Sequence, residues 1–364
     1  QIQSVVSLSY KRREMRNVQM SKQMKKQLIK LLGIHGVSGQ ETKVRDYLKP
    51  ILTQAMDKVE IDSYGNLLAT KKVGNGVGAT ILLSAHMDTV KGVLADRKIL
   101  ENNGTFTSDK GALGADDRAG IAVILEVLRN IDNLSFTGTL KIAFSREEEI
   151  GCIGSGKIDS DWYSDVDLAI VVDRRGNRDI VVGCYEAFCS DAVGNFFEEA
   201  SKMQCMDWKA VEGGVSDAMT FSSKGINSVN LSVGYRNEHT SAEYVVFEDM
   251  KDTARLILQA LAVVNTFYGT FGKVPTSNKW IKGYKDYKNY GSYSGYSEDY
   301  KDDSYYRDMF ESDIYAETFD SENGDTFIYE VGNDIVIQQG DAEIFLSRES
   351  MKELLEQLKD SIKA

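Results

Sequence analysis

No stretch of this 364-residue chain approaches the ~18 consecutive apolar residues that a membrane-spanning helix requires, which argues against a membrane protein. Cysteine is scarce. Cys152, Cys184, Cys189 and Cys205 show neither the density of a disulfide framework nor any C-x-x-C spacing, and they read as thiols in a reducing, cytoplasmic setting. A basic excess is missing as well. The net charge is -12, and most of it falls after Pro275, where acidic residues outnumber basic ones two to one while the preceding body is nearly balanced. A nucleic-acid binder would carry a basic excess or stripe, and an acidic tail repels phosphate, so nucleic acid is not an expected ligand. With 42% hydrophobic and 27% charged residues the chain is not wholly disordered.

At ~150 residues per domain the length fits two domains, or one large domain with an appendage. Residues 1–20 contain Lys11, Arg12, Arg13 and Arg16 but lack the apolar core of a secretory signal, and are expected to be a leader or a disordered extension. From Met24 to about Phe271, helix-period segments such as Glu41 to Ala55 and Val123 to Leu128 alternate with runs of branched apolar residues. That pattern predicts an α/β fold with a mixed, largely parallel central sheet flanked by helices. Thr80 to Ala85, Thr139 to Ser145, Leu168 to Val172 and Ser228 to Val233 are the expected strands, mostly unbroken apolar runs as in strands covered on both faces. Phe247 to Tyr268 is expected to be a final helix, closed by Gly269, Gly272 and Pro275.

The expected catalytic domain therefore spans 21–272. Residues 273–322 read as an acidic, Tyr-rich linker, with Tyr284, Tyr287, Tyr290, Tyr293 and Tyr296 at intervals of three and few aliphatics to offset ordering entropy. Residues 323–364 read as a small module: a meander of Thr326 to Val331, Asp334 to Gln338 and Glu343 to Ser347, then a helix from Glu349 to Lys363 with Leu354, Leu355 and Leu358 on one face. A unit this small is marginal alone.

Of the three histidines, His86 in LLSAHMDTV directly follows an apolar run, at the carboxyl end of a strand where open α/β sheets bind ligands. Asp88, two residues on, is positioned to accept a hydrogen bond from the other imidazole nitrogen. Alone, H-x-D equally describes a structural histidine. In LGADDRAGIAVILEVL, Asp116 and Asp117 open an apolar helix, which is also ordinary capping chemistry. The strand Leu140 to Phe144 then runs into Glu147, Glu148 and Glu149, and stacked acids repel unless a cation or proton compensates them. Leu168 to Val172 ends at Asp173, and His239 follows the strand Ser228 to Val233. Carboxylates with imidazoles suit zinc, manganese or cobalt, and the absence of thiolate pairs argues against a closed structural zinc site.

HMDTV, GADDRAG, EEEIG, VVD and an isolated His occur in an order that resembles the dinuclear zinc exopeptidases, in particular peptidase T-like and related aminopeptidases, over roughly Met24 to Phe271. The resemblance implies two divalent metal ions, zinc by default: His86 and Asp173 bind one, Glu149 and His239 the other, and Asp116 bridges both. It implies Glu148 as general base, Asp88 orienting His86, and no ligand role for Asp117 or Glu147. Two cations ~3.5 to 4 Å apart would polarise a carbonyl and acidify a bridging water, with Glu148 moving the proton to the leaving amine. Asp at position 173 goes with aminopeptidase-type members, which makes short peptides the expected substrate. A metal-dependent deacylase or carboxypeptidase is the alternative within hydrolases. An interaction protein recruiting a partner through its acidic tail is the alternative outside them.

The chain departs from that pattern in one respect. Asp173 and His239 are 66 positions apart and His86 and Asp116 are 30 apart, which leaves no room for the inserted lid or dimerisation domain of peptidase T-like enzymes. Gly151 to Ile158 nearly spells a phosphate-binding loop but has Ile158 where the magnesium-binding hydroxyl belongs. Gly74, Gly76 and Gly78 read as a hairpin turn, His35 and Cys152 as structural, and Ser216 and Asp217 as pocket-shaping or capping residues.

Overall fold

The apolar runs expected to be doubly covered strands form the centre of one large sheet. The computed structural model describes residues 22–184 and 186–275, together with the backbone of four strands between Glu317 and Ser347. The chain divides into two units, Gln1–Lys285 and Asp286–Ala364. In the first, the strands are β1 (Lys58–Ile61), β2 (Leu67–Val73), β3 (Thr80–His86), β4 (Ile99–Asn102), β5 (Thr105–Ser108), β6 (Gly138–Ser145), β7 (Leu168–Arg174), β8 (Asp179–Cys184), β9 (Glu186–Ala187), β10 (Lys209–Glu212), β11 (Ser228–Ser232), β12 (Tyr235–Arg236) and β13 (Tyr244–Val246). The helices are α1 (residues 22–32), α2 (Thr42–Ala55), α3 (Ala115–Asn130), α4 (Ile153–Lys157), α5 (Ser160–Tyr163), α6 (Asp191–Lys202), α7 (Asp217–Ser223) and α8 (Phe247–Phe267).

The main sheet runs β1-β2-β6-β3-β7-β11-β8-β10, with β9 paired to β8. β6, β3, β7 and β11 are mutually parallel, whereas β1, β2 and β8 pair antiparallel with their inner neighbours. Side chains alternate between two cores, as the two-residue period of a strand dictates. Ile81, Leu83, Leu140, Ile142, Leu168 and Ile170 join α1, α2, α3, α6 and α8 in the larger one. Leu82, Ala143, Ala169 and Val171 meet Tyr163, Ala218 and Phe221 of α5 and α7 in the smaller. A Leu→Ala change in such a strand costs ~2–5 kcal/mol, so the strand ends that carry the candidate site are firmly anchored.

β1, β2, β8 and β10 were not among the expected strands. β1, β2 and β10 mix Lys, Glu and Thr with apolar residues and are partly exposed, so they lack a continuous apolar signature. The Gly74–Gly78 turn links β2 to β3, which lie on either side of β6 and form no hairpin. α3 starts beside Asp116 and Asp117, as expected, and every residue from Ala115 to Leu128 is buried. Gly120 makes that close approach possible: a Cβ there would lie 2.0 Å from the Val172 carbonyl oxygen. A second sheet, β12-β13-β5-β4, gathers the segments on either side of His239 against the β4–β5 hairpin.

The interval from Asp173 to His239 is occupied by β8 to β12, α6 and α7, of which β8 to β11 belong to the main sheet. In the second unit β14 (Glu317–Phe319), β15 (Thr326–Val331), β16 (Asp334–Gln339) and β17 (Ala342–Ser347) form an antiparallel meander in sequence order. β14 falls within the segment expected to be linker. The expected leader, the tyrosine run and the helix from Glu349 to Lys363 lie outside the described residues. No helix among the described residues is long and apolar enough to cross a membrane.

Candidate metal centre

The carboxyl ends of three parallel strands, the start of α3 and one loop of the second sheet bring the expected site residues together. His86 ends β3 and is fully buried. Its Nδ1 lies 3.1 Å from Asp88 Oδ1, its Nε2 lies 3.0 Å from Asp116 Oδ1 and 3.5 Å from Asp173 Oδ1. Asp88 fixes the tautomer that leaves Nε2 free to act as a ligand atom. The same carboxylate does more than the sequence suggested. It accepts the backbone N–H of Glu148 at 3.0 Å and of Glu149 at 3.2 Å, and the Ser38 hydroxyl at 2.8 Å. One buried anion therefore aligns His86 with the turn that carries both glutamates.

Asp116 and Asp117 point apart. Asp116 faces the two imidazoles, with Oδ1 toward His86 and Oδ2 3.2 Å from His239 Nε2. Asp117 is fully buried and accepts the N–H groups of Gly120 at 3.0 Å and His86 at 3.3 Å. After β6, Glu147 turns away to Tyr64 and Arg146, Glu149 Oε2 reaches His239 Nε2 at 2.8 Å, and Glu148 Oε2 stands 4.0 Å from His86 Nε2. A glycine at 154 lets this turn close, since a Cβ there would lie 2.1 Å from the Arg146 carbonyl oxygen. Asp173 is the second-to-last residue of β7, its backbone bracketed by the Asn230 side-chain amide at 2.9 and 3.0 Å.

Two groups of ligand atoms result. His86, Asp116 and Asp173 form one and Asp116, Glu149 and His239 the other, each with its atoms within 4.8 Å of one another. The electrostatics favour a cation between them. Burial, with Asp173 next, pushes Glu148 well above the usual carboxylate range, and burial with the Asp116 charge takes Asp173 up to about 7. Burial opposes charge on Asp116 too, but hydrogen bonds from His239 and His86 hold it well below the ordinary value. Burial would lower His239, yet its hydrogen bonds to Asp116 and Glu149 raise it to about 11. Glu149 Oε1 is buried without a hydrogen-bond partner. Asp116, Asp173, Glu148 and Glu149 meet only two imidazoles, so protons or divalent cations must balance them. The donor set is the oxygen-and-imidazole kind that suits an open zinc, manganese or cobalt site, and the residues fit such a group.

Two positioning residues escaped the sequence reading. Glu243 is buried and accepts the N–H groups of Gly114 at 2.8 Å, Ala115 at 2.6 Å and Asp116 at 3.3 Å, clamping the loop that presents Asp116. The Tyr235 hydroxyl donates to Asp173 Oδ1 at 2.9 Å. Neither sits in a patterned motif. Ser216 caps α7 by accepting the Ala218 N–H, whereas Asp217 is buried and takes the hydroxyls of Ser145 and Ser155. His35 stands outside both ligand groups.

Residues 95–256 match the family model described as M42 glutamyl aminopeptidase. The chain is 29% identical over 197 residues to the Bacillus subtilis (strain 168) uncharacterized protein YqjE, covering 53% of this chain and 50% of that protein. It spans a quarter to a half of the length of the curated relatives it matches. Its fold is similar to that of aminopeptidase PepT from Bacillus cereus ATCC 10987, with a TM-score of 0.62 and 19% identity over 67% of this chain and 98% of the other. A tripeptidase from Staphylococcus aureus subsp. aureus Mu50 is similar as well, with a TM-score of 0.61 and 19% identity over 68% of this chain and 99% of the other.

Proposed function

We propose that this chain is a metal-dependent aminopeptidase that removes the amino-terminal residue from short peptides in the cytoplasm. Its catalytic domain would span residues 21–272. The observation that carries the reading is the position of Asp116, whose two oxygens face His86 on one side and His239 on the other. The family model over residues 95–256 and the aminopeptidase fold support it. His86 and Asp173 would hold one divalent ion and Glu149 and His239 the second, with Asp116 shared and zinc the favoured metal. When bound, such a pair polarises the scissile carbonyl and lowers the pKa of the attacking water.

The remaining steps belong to the chain's own side chains. Glu148 takes the water's proton and returns it to the leaving amine, the two-way role of a positioned carboxylate. Asp88 holds His86 and the Glu148–Glu149 turn in register, Tyr235 orients Asp173, and Glu243 fixes the Asp116 loop. The acidic segment after Pro275 is a candidate attachment point for a protein partner, on its charge alone.

The test is hydrolysis of di- and tripeptides with free or blocked amino termini, on protein whose metal content has been measured. Cleavage confined to free amino termini supports the reading. Cleavage of blocked peptides favours a deacylase or carboxypeptidase instead. Glu148→Gln keeps the shape of the site and removes the base, so turnover should fall by at least ~10³-fold with metal content unchanged.

A further inference from the structure

Behind Glu148 lies a side chain that the hydrolytic reading does not use. Cys152 immediately precedes α4, with φ +54 and ψ +32, a left-handed conformation in which glycine or asparagine is the ordinary occupant. Its Sγ is 3.3 Å from Glu148 Oε1, and the residue is 7% exposed. The backbone holds it there from both sides. The Cys152 N–H donates to the Glu148 carbonyl at 2.8 Å, and the Cys152 carbonyl accepts the Gly156 N–H at 3.2 Å. Ser155 donates its hydroxyl to Asp217, which is braced in turn by Ser145 at the end of β6.

Glu148, Cys152 and Asp217 place ligand atoms within 4.8 Å of one another, which invites a third cation. Asp217 argues against it, because its two oxygens already accept the serine hydroxyls. The cluster is a hydrogen-bond brace. Burial, reinforced by Glu148 and Asp217, keeps the thiol well above its ordinary pKa, so it remains a neutral donor and Glu148 Oε1 the acceptor.

We propose that Cys152 is a positioning residue for the base, its thiol holding Glu148 Oε1 so that Oε2 faces His86 Nε2 and the reacting water. The role rests on the hydrolase reading above. The terminal torsion of a carboxylate has a broad, roughly two-fold well, so nothing in the residue itself fixes the angle at which its plane meets the site. A donor fixed behind one oxygen sets that angle. A residue chosen only for packing would not need a left-handed cysteine here, where the backbone prefers glycine.

The test compares Cys152→Ala and Cys152→Ser with the full metal-loaded chain. Alanine removes the donor, and kcat should fall about tenfold with KM within about twofold and metal content unchanged. Serine keeps a donor and should restore most of kcat. A second readout does not depend on turnover: the infrared S–H band lost in Cys152→Ala should lie below that of a free thiol and move up in Glu148→Ala. Unchanged kcat in Cys152→Ala, failure of serine to restore what alanine loses, or an S–H band indifferent to Glu148→Ala would each overturn the proposal. Wild-type protein that cleaves no peptide would count against the hydrolase reading, while the infrared band would still decide the hydrogen bond.

Discussion

The two halves of the candidate centre are built from different material. His86 is 1% exposed at the end of a fully buried strand, with a carboxylate beside each ring nitrogen, whereas His239 is 48% exposed on a loop between two short strands, with φ +67. The first half is part of the core. The second is brought to it by the small β12-β13-β5-β4 sheet and by the side chains it meets. The candidate centre thus combines a group of residues fixed by folding with one that its own charges draw together.

Removing each imidazole breaks this comparison most directly. His86→Ala empties a fully buried position at the end of β3 and takes one of four donors from Asp88, and should destabilise the metal-free protein by about 2–4 kcal/mol in chemical unfolding. His239→Ala should change metal-free stability by less than about 1 kcal/mol, although both variants lose peptidase activity. Equal destabilisation by the two changes would contradict the division. Next in size is Glu243→Ala, which strips three backbone N–H groups of their acceptor. It should cost about 2–3 kcal/mol and weaken metal binding in both halves, with Glu243→Gln milder, as calorimetric metal titration and thermal melts would report.

The difference between the halves is also a difference in legibility. The central strands were readable because burial on both faces leaves unbroken apolar runs, and His86, the Glu147–Glu149 run and Asp173 stand out as polar residues at their ends. The partly exposed edge strands β1, β2 and β10 lack that contrast. His239 had no local signal beyond following a strand, and its pairing with Glu149 came only through the family resemblance. Glu243 and Tyr235 were invisible because their partners lie 127 to 129 and 62 positions away, a separation that no local pattern encodes. Cys152 was read as a small buried residue, and nothing in its neighbourhood announces the contact with Glu148.

A finer test acts on the His86 half alone. Tyr235→Phe removes the hydroxyl from Asp173 and should weaken binding of one metal ion by about 10- to 100-fold while leaving the other unchanged. Two-site titration separates the two affinities, and equal loss at both would contradict a role confined to Asp173. The smallest effect concerns protons at the exposed half. His239, raised to about 11 by Asp116 and Glu149 against the lowering effect of burial, carries a proton at neutral pH in the metal-free site. A cation must displace that proton, so metal affinity should rise between about pH 6 and pH 8 by up to roughly tenfold per unit for each proton released. Calorimetry in buffers of different ionisation enthalpy counts the protons. A pH-independent affinity without proton release would contradict the assignment of His239.

The central claim is that Asp116 joins two metal sites, and anomalous scattering from crystals grown with zinc tests it most directly. The account predicts two peaks per chain about 3.5–4 Å apart, with Asp116 between them, one against His86 and Asp173 and the other against Glu149 and His239. A single peak, or two peaks of which Asp116 touches only one, would contradict it.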